Sequence, residues 1–176
     1  RRHWIDFSYT FGNSNFLKKL CLTSKKNIDI VTEVNQSTEV KNKIKNLNFN
    51  FKILDEKLNH RQYLNVMSKG KFFLAIDCTK PRWGNSLIEA ALCKNLIIGN
   101  RNHFWNSHLI LDELNCSKFN EAIDLIRLIN KNKSLYKNYL NKQTKNLDNL
   151  NYYRPLSQIY SFSEKCKRQV KLKNKY

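Results

Sequence analysis

No stretch of this 176-residue chain approaches the roughly 18 consecutive apolar residues that a membrane-spanning helix needs. No basic-then-apolar leader opens it. The first residue is Arg rather than Met, so the expectation is a piece of a longer protein. Only four Gly and two Pro occur, and no Gly/Ser-rich linker or internal repeat divides the chain. The Cys residues at 21, 78, 93, 116 and 166 include no pair with metal-site or redox-motif spacing. They read as reduced, mostly buried thiols of a cytoplasmic protein. His103, His108, Asp112 and Cys116 could be assembled into a metal site on paper, but their helical spacing is only partial. No metal and no cofactor is expected. Acid is also scarce: 14 Asp and Glu stand against 32 Lys and Arg, for a net charge of +18.

What is present suffices for one domain with a real core, since 41% of residues are apolar. The charge has two readings. One is the footprint of a module that binds nucleic acid or another polyanion. The other is composition: Lys is spread along the chain among many Asn, the usage of an AT-rich genome. Under the second reading, generic nucleic acid binds weakly and loses to salt. Specific nucleic-acid recognition is then not expected, while peripheral contact with an anionic membrane surface stays open.

Strand and helix signals alternate through five cycles. Strands are expected over residues 4–10, 27–34, 49–54, 72–77 and 96–99, with a possible edge strand at 109–111. Helices are expected over 15–23, 37–46, 60–68 (Tyr63, Leu64 and Met67 inward, stopped by Gly70), 86–93, 119–130 and 135–150. Pro155 breaks the pattern ahead of a last helix over 157–170 and a basic tail. The expected fold class is α/β, a doubly wound parallel sheet with helices on both faces. Residues 1–150 would form a Rossmann-like domain, and 151–176 a C-terminal helix with its tail.

The most informative segment is 71–100, KFFLAIDCTKPRWGNSLIEAALCKNLIIGN. It reads as strand, polar loop, helix, strand. The loop falls at the carboxyl end of a buried strand, where open parallel sheets bind ligands. Gly84 lets the backbone approach a diphosphate closely, and the free N–H groups of Asn85, Ser86 and Leu87 at the helix start suit a phosphate. The same residues also read as an ordinary cap, because Ser86-x-x-Glu89 fits a capping box. Glu89 can accept two hydrogen bonds from the cis hydroxyls of a ribose, or close that box. Arg82 can pair with a diphosphate or be one more surface cation, and Lys80 reads as solvent-facing. Asp77 can touch sugar hydroxyls or simply form the turn. Arg101, Asn102 and His103 follow the next strand on the same rim. Trp83 and Trp105 can stack on a base or sugar, or plug the core.

Trp83-Gly84, Glu89-Ala90, Cys93 and Ile97-Ile98 resemble the donor-binding segment of retaining glycosyltransferases with the GT-B fold, the group 1 type. The run Trp83 to Glu89 is similar also to the Trp-Asn-Ser-x-x-Glu piece of plant-type nucleotide-sugar transferases, with one Gly inserted. The match departs at Pro81, Arg82, Lys94 and Leu96, where the family carries Glu, Gly, Gly and Pro. The resemblance implies the C-terminal, Rossmann-like half of a GT-B enzyme that moves a sugar from a nucleotide-diphosphate sugar to a saccharide, lipid or polymer acceptor. It implies donor contacts from Arg82, Trp83, Gly84, Asn85, Ser86, Leu87 and Glu89, with Asp77 as a possible sugar contact in place of the missing Glu. It adds Gly12 and Lys18, which stand at the spacing of the family's Gly-Arg and Lys, although Asn13 replaces the Arg. No catalytic base is identified, and the N-terminal GT-B domain would be a partner. Two rivals remain: the non-enzymatic basic module, and a sugar-nucleotide epimerase, for which no acid/base pair stands out.

Overall fold

The computed structural model describes residues 24–33, 38–54, 58–76, 85–104 and 107–148. By its contacts the chain divides into two units, Asn13–Leu147 and Arg1–Gly12 with Asp148–Tyr176. The account that follows is of the first. The expected strand over 4–10, the helices over 15–23 and 157–170, and Pro155 lie outside the described residues.

Among the described residues four parallel strands form one sheet: β1 (Ile28–Glu33), β2 (Phe51–Leu54), β3 (Gly70–Ala75) and β4 (Leu96–Gly99), in the order β2-β1-β3-β4. Among the described residues five α-helices connect and cover them: α1 (Thr38–Lys45), α2 (His60–Ser68), α3 (Asn85–Leu92), α4 (Phe119–Lys131) and α5 (Lys133–Asp148). The α/β class with a parallel sheet is as the alternation of signals implied. β1 and β3 pair directly, with Ile30 opposite Phe72 and Thr32 opposite Leu74. No strand runs between them. This is the order of flavodoxin-like doubly wound sheets, whose switch point lies between the first and third strands.

The inner strands are buried on both faces, which is why they read as near-continuous apolar runs. Ile30, Phe72, Leu74, Leu96 and Ile98 face Val40 and Ile44 of α1 and Ala122, Ile123, Ile126 and Ile129 of α4. By alternation Val31, Phe73 and Ile97 turn to the other face. There α2 and α3 pack together and bury Leu64, Met67, Leu87, Ile88 and Ala91. Right-handed crossovers require this division, because the chain steps one way from β1 to β2 and the other way from β2 to β3 and β4.

Two expectations are corrected. Gly70 does not stop α2. The helix ends at Ser68, its cap Lys69 stays right-handed, and the Lys69 N–H donates to the Val66 carbonyl. Gly70 instead begins β3 at a point of close approach, where a Cβ would stand 2.5 Å from Val31 Cγ2. Residues 109–111 form no edge strand. Single 3-10 turns, Ser107–Leu109 and Asp112–Leu114, bury Leu109, Leu111 and Leu114, and an isolated parallel bridge joins Gly99 to Asn115. The run was apolar because it is core, and it is too short between turns to extend.

The opposite, amino end of the sheet is tied by polar side chains. Lys26 Nζ donates to the Cys93 carbonyl (2.6 Å) and to Asn95 Oδ1 (2.7 Å), placing a cation at the C-terminal end of α3. Tyr136 packs edge-on against Phe72, and its hydroxyl donates to the Lys71 carbonyl at 3.2 Å. Burial pushes this phenol up to about 12. An unfolded Tyr loses its proton near 10. As pH rises from about 10 towards 12, the unfolded chain therefore sheds a proton that the folded chain keeps, and stability falls. Denaturation midpoints measured from about pH 8 to about pH 11.5 should decline, and Tyr136→Phe should flatten that decline. An unchanged slope in the variant would contradict the buried, protonated phenol.

Candidate functional site at the carboxyl end of the sheet

The carboxyl ends of β1 and β3 diverge at the switch point, so ligand-facing residues are sought there. β3 leads through the buried Ile76 into residues 77–84, and α3 begins at Asn85. Of the sequence candidates, Gly12, Asn13, Lys18, Asp77, Lys80, Arg82, Trp83, Gly84 and Trp105 lie outside the described residues. Ser86, Leu87 and Glu89 are placed in the first two turns of α3. Leu87 is fully buried, so its side chain belongs to the core and only its backbone is available to a ligand. Ser86 is buried as well, and Glu89 keeps 9% of its surface.

This register weighs on the two readings of Ser86 and Glu89. A capping box joins the residue ahead of a helix to the third residue inside it. With α3 opening at Asn85, those positions are 84 and Leu87, and Ser86 already sits within the first turn. A clear capping box stands instead at α2: Asn59 Oδ1 accepts from the Gln62 N–H at 2.9 Å, and Gln62 Oε1 accepts from the Asn59 N–H at 3.1 Å.

Two residues that sequence reasoning missed gather beside Glu89. Glu33 is the last residue of β1, and Tyr63 sits in the first turn of α2. The Tyr63 hydroxyl donates to Glu33 Oε1 at a long 3.5 Å. Burial raises its pKa far above the ordinary range, and the nearby carboxylates of Glu33 and Glu89 raise it further. Tyr63 therefore remains a hydrogen-bond donor at any physiological pH. The available signal for Glu33 was its place at the carboxyl end of a buried strand. Helical spacing points Tyr63 into the core, and it is half-buried.

Chemically, the arrangement offers two kinds of group. Carboxylates and a phenol can bind hydroxyls, and the start of a helix can bind an anion. Arg101, by contrast, is occupied. Its Nε donates to the Ile110 carbonyl at 2.6 Å, its Nη1 pairs with Asp112, and its backbone N–H donates to Asn115 Oδ1. It clamps the turns after β4. Asn102 is exposed and His103 half-buried on the same segment.

Among the described residues no group of His, Cys, Asp and Glu is disposed to hold a metal ion. Asp112 is engaged by Arg101. Cys116 is buried with its thiol pushed up to about 11 by burial, and Cys93 is likewise buried. No helix among the described residues is long and apolar enough to cross a membrane. No known protein family, curated protein or solved structure matches the chain.

Proposed function

We propose that this chain is the nucleotide-sugar-binding half of a GT-B-type glycosyltransferase. One coincidence carries the reading. The segment that resembles the family's donor site, Trp83 to Glu89, ends in a helix that opens beside the switch point of a parallel sheet. The N–H groups at the start of α3 would take the diphosphate, helped by Arg82 and Lys18. Glu89 would accept the ribose hydroxyls, with Tyr63 and Glu33 at its side. Catalysis would be mainly electrostatic, the helix start and basic groups neutralising charge that develops on the leaving diphosphate. Acceptor groups and any base would come from the other half of the enzyme.

The test is calorimetric titration of UDP, GDP and ADP. Glu89→Gln keeps the shape but removes a charged acceptor, a change worth about 1.5–3 kcal/mol. Nucleotide affinity should fall about tenfold or more, while the melting temperature shifts by no more than about 2 °C. Absence of binding by all three nucleotides to the wild-type protein would sink the reading. So would a Glu89→Gln protein that binds as tightly as wild type.

A further inference from the structure

We propose that the outward face of α5, carrying Lys133, Lys137 and Lys145, is a docking surface for an anionic lipid membrane. The charge of the chain is unevenly placed. Residues 131–176 hold twelve Lys and Arg against two Asp and Glu, which is +10 of the total +18. Within that stretch, α5 is the described element. Lys133 and Lys137 lie one turn apart and Lys145 two turns further, a row about 18 Å long at about 1.5 Å per residue. All three are exposed. Some cations meet carboxylates: Lys43 with Glu39, Lys71 with Asp29, Arg127 with Asp124 and, on α5 itself, Lys142 with Glu113. Among the described residues no carboxylate pairs with Lys133, Lys137 or Lys145. Asn138, Asn141 and Thr144 fill the same face with exposed, neutral side chains.

The partner follows from what this face lacks. The helix's aromatic residues, Tyr136 and Tyr139, are turned into the core. No ring is left to stack on a base, the usual device of single-strand binders. Of its apolar residues, Leu135 packs against the core, and Leu140 and Leu147 are half-buried. A flat row of lysines suits a plane of phosphate headgroups, each Lys near such a surface adding to the attraction. The sequence continues the charge, with six Lys and Arg among the eleven positions 165–175. The proposal does not rest on the donor-binding reading.

Sedimentation with vesicles tests it. Vesicles of phosphatidylcholine alone are compared with vesicles containing one third phosphatidylglycerol. The variants are Lys133→Gln/Lys137→Gln/Lys145→Gln and a control with equal charge loss, Lys25→Gln/Lys45→Gln/Lys52→Gln, whose lysines are also exposed. Wild type should bind only the anionic vesicles, less as salt rises. The α5 triple should lower partitioning about 100-fold, and the control less than about threefold. Failure to bind anionic vesicles, equal binding to neutral ones, or equal losses in the two triples would overturn the proposal. Tighter binding of a single-stranded RNA at the same phosphate concentration would replace the membrane with nucleic acid and overturn it too. Nucleotide titration of the α5 triple should match wild type, so failure of this surface is distinguishable from failure of the donor site.

Discussion

Gly99→Ala should remove about 3 kcal/mol of folding stability, a large part of what holds a domain of this size. The added Cβ would stand 2.0 Å from the Ala75 carbonyl oxygen and 2.6 Å from its carbon. Both are backbone atoms of β3, directly across from Gly99 in the ladder. They cannot rotate away as a side chain would. The Ala75 oxygen is also committed, since it accepts the Asn100 N–H at 2.9 Å, while the Gly99 oxygen accepts the Cys116 N–H at 2.9 Å. Relief of the clash must break one of these or bend β4 away from β3 at the edge of the sheet. Urea unfolding should show a lower midpoint with an unchanged slope. Gly70→Ala is the comparison. Its nearest obstacle is a methyl of Val31 at 2.5 Å, a side-chain group with more freedom to move. It should cost less. A Gly99→Ala protein within about 1 kcal/mol of wild type would show that β3 and β4 do not approach as described.

The two glycines mark where sequence reading succeeds and where it stops. Local signals placed the elements well. α2 and β4 have the bounds that periodicity and turn residues implied, and β1, β3 and α3 differ by one or two residues at their ends. Those signals are local because the driving pattern, apolar runs for strands covered on both faces, is itself local. Gly70 was expected as a helix stop and Gly99 only as the last residue of a short strand. Their role is close packing between strands that are 39 and 24 residues apart from their contacts in sequence, Val31 and Ala75. Single-sequence patterns hold no record of such pairs. The direct pairing of β1 with β3 is likewise a long-range fact.

The candidate site was legible to the same limit. Glu89 was picked out by its spacing from Ser86 and by the family resemblance, and α3 begins at Asn85, one residue ahead of the expected helix start. Glu33 and Tyr63 were not, because their relation to Glu89 exists only once β1, α2 and α3 are brought to one rim of the sheet. Arg101 failed in the opposite sense. Its position on the rim was read correctly, but Asp112 and the Ile110 carbonyl already hold its guanidinium. A cation's availability depends on its partners, and these lie in turns whose geometry no periodicity describes.

The outer edge of β4 supplies the last expected result. An edge strand presents backbone groups that another chain can pair with. Here a side chain pairs with them instead. Gln143 of α5 accepts the Ile97 N–H through Oε1 at 2.9 Å and donates Nε2–H to the Asn95 carbonyl at 2.7 Å, both bonds buried. The amide thus imitates a neighbouring strand. Gln143→Leu keeps most of the volume but leaves one buried donor and one buried acceptor without this partner, each worth about 1–3 kcal/mol. A total loss of about 3 kcal/mol is expected, with faster amide exchange at Ile97. Thr144→Ala is the control: its hydroxyl donates to the Leu140 carbonyl at 2.8 Å on the exposed face, and its loss should stay within about 0.5 kcal/mol. If Gln143→Leu is as stable as that control and Ile97 exchanges no faster, the glutamine does not seal the sheet.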